Sequence, residues 1–212
     1  MALKVLELFG GIGAPRAALE RLDADFEIVD YVEIDKFAVE SYNALYGTDY
    51  APQDISTWDK DVSVDMIFHG SPCQDFSIAG EQLGGESDSG TRSSLMWETV
   101  RIVEKLKPRY VIWENVKNVI GKKHKPTFDK YLKHMESMGY MSYYKVLNAS
   151  HYGIPQKRER VFVVSILGKH FMYQFPQPKE LKLTLKDLLE DEVDEKYFVS
   201  QNMLNYLTDM SG

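Results

Sequence analysis

The chain has one cysteine, Cys73, and its context suits a nucleophile. It follows Gly70-Ser71-Pro72 and precedes Gln74. Proline fixes the local backbone and biases the residue before it toward an extended conformation, which would present the thiol rigidly. A thiol in a polar loop at the end of a strand can be partly exposed and therefore reactive. The alternative is a small buried hydrophobe, as an isolated cysteine often is.

Charged side chains further along the chain could serve the same chemistry. Glu114 ends an apolar strand, where partial desolvation would suit a general acid. Arg158 and Arg160 alternate along an extended segment, so their side chains would point the same way and grip an anion or orient a base. The alternatives are a solvated carboxylate at the sheet edge and an ordinary surface charge cluster.

A glycine-rich turn predicts a second kind of site. In Phe9–Gly13 the glycines let the backbone approach a ligand closely. Glu33 lies twenty residues after this turn, at the end of the next strand, where an acid can accept hydrogen bonds from ribose hydroxyls. Asp54-Ile55 follows on the next loop and could meet an adenine. The pattern favours a nucleoside site over a tight structural turn.

The turn also indicates which nucleoside fits. A dinucleotide needs a pyrophosphate cradle, with a third glycine opening the helix, but Ala14-Pro15-Arg16 stands there. An adenosine cofactor without phosphates, of which S-adenosylmethionine is the common example, fits as well or better. A nicotinamide-dependent dehydrogenase would explain the turn and Glu33 but would leave Cys73 without a role.

The elements that must position these residues follow from the apolar pattern, which is that of an α/β sheet. The predicted strands are Leu3–Leu8, Ile28–Glu33, Val64–His69, Arg109–Glu114, Tyr143–Leu147 and Arg160–Leu167. The predicted helices are Pro15–Leu22, Lys36–Tyr46, Ser94–Lys107, Thr127–Met138 and, in a polar tail, a helical piece at Thr184–Leu189. Because ligands bind beyond the carboxyl ends of such strands, we expect the chemical residues to meet there.

Composition limits the class of protein. With 212 residues, 44% of them hydrophobic, the chain can bury the core of about one domain. No apolar run approaches the roughly 20 residues of a membrane helix, and one cysteine excludes an internal disulfide or a multi-cysteine metal site. The net charge of −7 argues at first against nucleic acid, but residues 101–170 carry 15 Lys/Arg against 5 Asp/Glu. We expect a cytoplasmic protein with no metal and no membrane partner.

Six motifs in order, from Leu3 to about Leu189, resemble those of the C5-cytosine DNA methyltransferases. They are Phe9–Gly13, Glu33-Ile34-Asp35, Asp54-Ile55, Gly70–Gln74, Glu114-Asn115-Val116 and Gln156–Arg160. The resemblance implies an α/β, Rossmann-like methyltransferase fold, a mostly parallel twisted sheet with helices on both faces. Residues 1–190 would form the catalytic and cofactor-binding domain, and residues 191–212 a tail.

The resemblance also implies a reaction and its residues. The cofactor would be S-adenosylmethionine, and the residues implied to bind it are Phe9, Gly11, Ile12, Gly13, Glu33, Ile34, Asp54, Ile55 and Pro72. The cofactor's methyl group would pass to C5 of a flipped-out cytosine while Cys73 is bonded to C6 and Glu114 assists at N3. Arg160 would hold the base near O2, and Arg158 would support the pocket and the cysteine.

Double-stranded DNA is the implied substrate. Gln74, Ser77 and Arg92 would contact it, and the glycine-rich stretch Ile78–Arg92 predicts a mobile loop that closes over the flipped base. The basic middle segment would supply phosphate contacts. RNA, used by one branch resembling this family, is an alternative substrate. A non-catalytic nucleoside-binding or DNA-binding module is the alternative function.

Two departures from the family pattern matter. Ala14 stands where the family usually has a second glycine, and we expect cofactor binding to survive the change. The target-recognition boundary and the closing motif of the family do not appear after Leu189. We therefore expect a second subunit for target recognition, or self-association, unless the chain is a truncated form or a binding module. The expected setting is a prokaryotic or phage-infected cell, with or without a restriction partner.

Overall fold

The computed structural model describes residues 2–71, 95–168 and 172–209. In this part of the chain the strands are β1 Leu3–Leu8, β2 Phe26–Val32, β3 Met66–His69, β4 Tyr110–Val116, β5 Tyr140–Asn148 and β6 Glu159–Leu167. The α-helices are α1 Ala14–Arg21, α2 Lys36–Tyr46, α3 Leu95–Leu106, α4 Lys125–Ser137 and α5 Gln201–Asp209.

The described strands form one sheet in the order β2-β1-β3-β4-β6-β5. The first four in this order pair in parallel, whereas β6 runs antiparallel to β4 and β5 antiparallel to β6. The predicted mostly parallel α/β sheet is confirmed, with an antiparallel pair completing it. The carboxyl ends of the four parallel strands therefore lie along one edge, beside the beginning of β6.

The two faces of the sheet are packed with different side chains. Val32 belongs to a large apolar cluster that includes Met96 of α3 and Phe128 of α4. Its neighbour Tyr31 belongs to a small cluster with Tyr42 of α2. Since successive side chains of a strand point to opposite faces, helices cover both faces of the sheet, as predicted.

Most predicted bounds agree with the structure to within two residues, and α2 agrees at both ends. The largest difference is β5, which begins at Tyr140 rather than Tyr143. The Tyr140 ring is buried and its hydroxyl donates to the Pro108 carbonyl at 2.7 Å, which fixes these residues beside β6. The predicted loop Ile78–Arg92 lies outside the described residues.

The chain divides into two compact units, and the first contains the whole sheet. It comprises residues 1–148 and 158–177, and the second comprises residues 149–157 and 178–212. The division of function between residues 1–190 and 191–212 stays a prediction. No helix in the described ranges is long and apolar enough to cross a membrane.

The second unit holds more helix than the sequence predicts. A short 3-10 helix, Leu185–Leu188, lies within the predicted piece and begins with a reciprocal capping box between Thr184 and Asp187. The expectation of one helical piece in the tail was wrong, because α5 follows it. In α5, Leu204 and Leu207 are three residues apart, which is a helical spacing. The surrounding residues are mostly polar, so this spacing alone is a weak signal of a helix.

Candidate active site

A cleft of about 490 Å³ opens at the carboxyl edge of the sheet, within the first unit. It is lined by the ends of β1, β3 and β4 and by the turn that leads from β1 into α1. Five predicted site residues line it: Phe9, Gly11, Ile12, Glu114 and Arg158. The volume lies in the range of ligand pockets, roughly 300–1,000 Å³. The glycine turn and the predicted general acid therefore face one cavity.

The turn after β1 has a backbone that favours glycine. Gly11 and Gly13 have φ angles of 53° and 81°, in the left-handed region. A Cβ on Gly13 would lie 2.5 Å from the Tyr46 ring and 2.7 Å from the Tyr42 ring. A side chain at position 13 would therefore meet both strain and a clash, which explains the glycine there.

Glu33 lies beside this turn, at the end of β2. Its Oε2 accepts a hydrogen bond from the Gly11 N–H at 3.0 Å, and its Oε1 accepts from the N–H groups of Ile34 and Asp35 at 2.9 Å each. These three donors fix the plane of the carboxylate. Ile12 and Ile34, which follow Gly11 and Glu33 in the sequence, have exposed apolar side chains that could pack against a purine.

The beginning of α1 is built differently from a pyrophosphate site. Pro15 has no N–H to offer, and the Arg16 N–H donates to the buried Glu7 carboxylate at 3.2 Å. The Tyr42 hydroxyl donates to the same carboxylate at 2.7 Å. Burial raises the pKa of Glu7, although these hydrogen bonds oppose the shift. An acidic group already occupies the end of the helix where a dinucleotide would place phosphates, so the geometry disfavours a nicotinamide dinucleotide.

On the other side of the cleft, Glu114 forms an ion pair that joins β4 to β6. The guanidinium Nε of Arg160 lies 3.1 Å from Oε1 of Glu114, and both side chains are partly buried. These strands are paired, with Val116 opposite Arg160, so the backbone brings the two motifs together. Arg158 lines the cleft two residues earlier. Glu114 therefore has a fixed position, with one arginine bonded to it and another nearby.

Asn115 has a structural role that the sequence does not indicate. Its buried amide Nδ2 donates to the Ser71 carbonyl at 3.0 Å, and its Oδ1 accepts from the Val116 N–H at 2.8 Å. Ser71 is two residues before Cys73. Asn115 therefore ties the residues that lead to the predicted nucleophile to the strand that carries the predicted acid.

Six of the predicted site residues in the described ranges are not among the residues that line the cleft. The Asp54 side chain accepts from the Ser56 N–H at 2.9 Å and caps a short 3-10 helix. Ile55 is buried in the large apolar cluster. Gly13, Glu33, Ile34 and Arg160 lie beside the cleft's lining residues rather than among them. The predictions for Pro72, Cys73, Gln74, Ser77 and Arg92 concern residues outside the described ranges.

Glu7 and His69 belong to the cleft but were not predicted. Glu7 is the one acidic residue in the apolar β1 segment Leu3–Leu8, and that was the signal available. His69 ends β3, stacks on Trp113 at 5.5 Å between ring centroids, and is buried. Burial lowers the pKa of His69 to about 3, so the imidazole is neutral at physiological pH. No group of three His, Cys, Asp or Glu in the described residues could hold a metal ion.

Known proteins match this chain over nearly its whole length. Residues 3–211 match the family model for C-5 cytosine-specific DNA methylase. Type II methyltransferase M2.ScrFI of Lactococcus lactis subsp. cremoris is 36% identical, over 96% of this chain and 72% of that protein. M.NlaX of Neisseria lactamica, also a type II methyltransferase, is 37% identical, over 94% of this chain and 64% of that protein.

Solved structures agree with the fold. A variant of DNMT2 from Spodoptera frugiperda superposes with a TM-score of 0.78 at 25% identity, over 98% of this chain and 65% of that one. The chain thus spans between 64% and 72% of the length of these three proteins, and about half of several others.

Proposed function

Because the chain belongs to the C-5 cytosine-specific DNA methylase family, we propose that it methylates C5 of cytosine in DNA with S-adenosylmethionine as the methyl donor. One observation carries the proposal. Glu114 and Arg158 line the same cleft as the glycine turn, and Arg160 pairs with Glu114 there. A nucleoside cofactor and a base would therefore meet in one cavity.

The cofactor half suits an adenosine group without phosphates. Glu33 would accept a hydrogen bond from the ribose, and the Gly11 backbone would allow close approach. The exposed side chains of Ile12 and Ile34 offer apolar contacts to the purine. When bound, S-adenosylmethionine would supply an electrophilic methyl group on its sulfonium.

In the base half, each residue would act on the cytosine. The Cys73 thiolate would bond to C6 while Glu114 donates a hydrogen bond or a proton at N3, which makes C5 nucleophilic. After methylation, loss of the C5 proton and breaking of the bond from sulfur to C6 would restore the aromatic ring and the thiolate. Arg160 would hold both Glu114 and the base. Such a reaction requires a base outside the helical stack.

DNA would also contact a row of lysines at α4. Lys122, Lys125, Lys130 and Lys133, here called the lysine row, line one concave surface. Lys125 also pairs with Asp129, the only acidic residue lining that surface among the described residues. Since α4 follows β4, the row begins at the sheet edge that holds the cleft and leads away from it. A duplex bound at the cleft could place phosphates on the row.

Target recognition would come from a further part of the enzyme. The chain spans 72% and 64% of its first two relatives. We propose that the remaining function is supplied by further residues, by a second subunit or by self-association. The mass of the chain in solution, measured with and without duplex DNA, would separate self-association from the other two possibilities, further residues or a second subunit.

The decisive test compares wild type with Cys73→Ala. We expect transfer of labelled methyl groups from S-adenosylmethionine to duplex DNA by the wild type. We expect none by the variant, with cofactor affinity unchanged in calorimetry. A folded wild type that binds cofactor but methylates no DNA, either alone or together with a chain that supplies target recognition, would support the binding-module alternative. Transfer to RNA alone would change the substrate, and transfer by the variant would remove Cys73 from the mechanism.

A further inference from the structure

Gly11 is held at both of its peptide groups. Its N–H donates to Glu33 Oε2 at 3.0 Å, and its carbonyl accepts from the Tyr31 hydroxyl at 2.6 Å. Its φ angle is 53°, and an added Cβ would meet nothing within 4 Å. Since an added Cβ would meet no neighbour, the left-handed conformation is held by hydrogen bonds. They are the two at Gly11 and the turn bond from the Gly13 N–H to the Gly10 carbonyl at 2.9 Å.

Tyr31 is well placed to hold a backbone group still. Its side chain is fully buried, and its ring stacks on Tyr42 at 3.9 Å between centroids. A Cβ on Gly10 would lie 2.5 Å from the Tyr31 ring, so ring and turn are in close contact. Burial, with a smaller contribution from the Glu33 carboxylate, raises the pKa of the Tyr31 hydroxyl, which therefore stays a donor at neutral pH.

The acceptor capacity of Glu33 shows where a ligand can bind. A carboxylate has about four acceptor directions, two on each oxygen. Oε1 already accepts from two backbone N–H groups, whereas Oε2 accepts only from Gly11 among the described residues. The open direction is therefore on Oε2, the oxygen whose surroundings depend on Gly11.

We propose that Tyr31 is a positioning residue that acts through Gly11 to aim Oε2 of Glu33 at a ribose hydroxyl of the cofactor. The inference rests on the proposed function, since it needs a nucleoside in this cleft. Tyr31 itself does not have to touch the cofactor. Its hydroxyl holds the Gly11 carbonyl and so fixes the backbone conformation of Gly11. The Gly11 N–H, oriented by that conformation, then fixes the position of the Glu33 carboxylate.

The turn provides a matched control in Tyr46. Its hydroxyl donates to the Gly13 carbonyl at 2.8 Å, on the same turn. No hydrogen bond among the described residues links Gly13 to Glu33. Tyr31→Phe and Tyr46→Phe therefore each delete one phenolic hydroxyl from one glycine carbonyl, and only the first of these carbonyls belongs to the residue bonded to Glu33.

The test measures the affinity of wild type and both variants for S-adenosylhomocysteine and for its 2′,3′-dideoxy analogue. Tyr31→Phe should weaken S-adenosylhomocysteine about threefold to tenfold and the analogue by no more than about twofold. Tyr46→Phe should change both ligands by the same factor. In a Glu33→Gln background, Tyr31→Phe should add no further loss.

Other outcomes would overturn the inference. Unchanged affinity of Tyr31→Phe for S-adenosylhomocysteine would remove Tyr31 from the site. An equal loss for both ligands would make the tyrosine a general support of the turn. If the wild type bound neither ligand, the proposed function itself would fail and the inference with it. If the wild type binds both, only the ratio between ligands decides.

Discussion

The two halves of the cleft are held in place by different means. In the cofactor half, hydrogen bonds of the backbone fix the site: the Gly11 N–H donates to Glu33, and the Gly11 carbonyl accepts from Tyr31. In the base half, the central contact joins two side chains, Glu114 and Arg160, from neighbouring strands. The geometry of the cofactor half therefore depends on backbone conformations that favour glycine. The geometry of the base half depends on the charged groups of Glu114 and Arg160.

The two halves should therefore respond differently to substitution. A change in the backbone conformation of the glycine turn should weaken cofactor binding without slowing the chemical step. A loss of charge at Glu114 should affect the chemical step without weakening cofactor binding.

Glu114→Gln should abolish most activity. The variant keeps the size of the side chain but cannot donate a proton at N3, and losing general acid catalysis costs about 10²- to 10⁴-fold in rate. We expect kcat for methyl transfer to fall in that range while the affinity for S-adenosylhomocysteine stays within about twofold of the wild type. Glu159→Gln, next to Arg160 but paired with Lys117, is the control for charge. Equal losses in both variants would contradict the assignment.

Gly13→Ala should weaken cofactor binding. The methyl group would lie within 3 Å of two tyrosine rings at a φ of 81°, so the turn must move. We expect affinity to fall by at least about tenfold, since strain and displacement together cost a few kcal/mol. Gly47→Ala is the matched control, because it has a φ of 64° but open space around the added carbon. Normal cofactor affinity in Gly13→Ala would show that the turn does not define the site.

The buried His69, which lines the cleft, should make the free energy of unfolding depend on pH. Its pKa is about 3 in the folded protein and about 6.5 when unfolded, so acid protonates the unfolded chain preferentially. Stability from this group is complete above pH 6.5 and is lost as the pH falls toward 3, by about 1.4 kcal/mol per pH unit. Urea unfolding of wild type and His69→Phe at pH 7 and pH 5 measures it. We expect the wild type to lose about 2 kcal/mol more than the variant. Equal losses would contradict the prediction.

The lysine row should affect DNA binding only modestly. The double variant Lys130→Gln/Lys133→Gln should leave cofactor affinity unchanged. The slope of log K against log salt, which is negative, should become less steep by at most about 1.8, or about 0.9 for each lost phosphate contact. Lys105→Gln/Lys107→Gln removes the same charge at the end of α3, before β4 begins and so near the opposite sheet edge. Anisotropy titrations with a labelled duplex at several salt concentrations would compare them. The same slope in both double variants would exclude a specific contribution from the row.

The order of elements could be read from the sequence because the first four strands are apolar and bounded by glycine, proline or charged residues. The same reading singled out Glu33, Glu114 and Arg160 by their residue types and their positions at strand ends, and their roles stay predictions. It also placed Lys36–Tyr46 correctly, since Asp35 caps that helix and Gly47 ends it. Local chemistry determines these features, and local chemistry is visible in a single sequence.

The contacts between distant parts of the chain could not be predicted in the same way. Tyr31 and Tyr42 read as ordinary core residues, and only the fold places their hydroxyls on Gly11 and Glu7. Asn115 gives no sign that its amide reaches Ser71, 44 residues earlier. Ile55, predicted to lie at the adenine, belongs to the large apolar cluster, and its contact with the cofactor stays a prediction.

The most direct test of the central claim is covalent capture of the nucleophile. Fluorine at C5 of cytosine cannot be eliminated as the C5 proton is, so methylation should leave the enzyme bonded to the base. With S-adenosylmethionine and duplex DNA containing 5-fluorocytosine, we predict an adduct that mass spectrometry locates on the peptide containing Cys73. Glu114→Gln should form it far more slowly, and Cys73→Ala should not form it. A wild-type protein that binds cofactor and DNA but yields no adduct, or yields one on another residue, would contradict the mechanism.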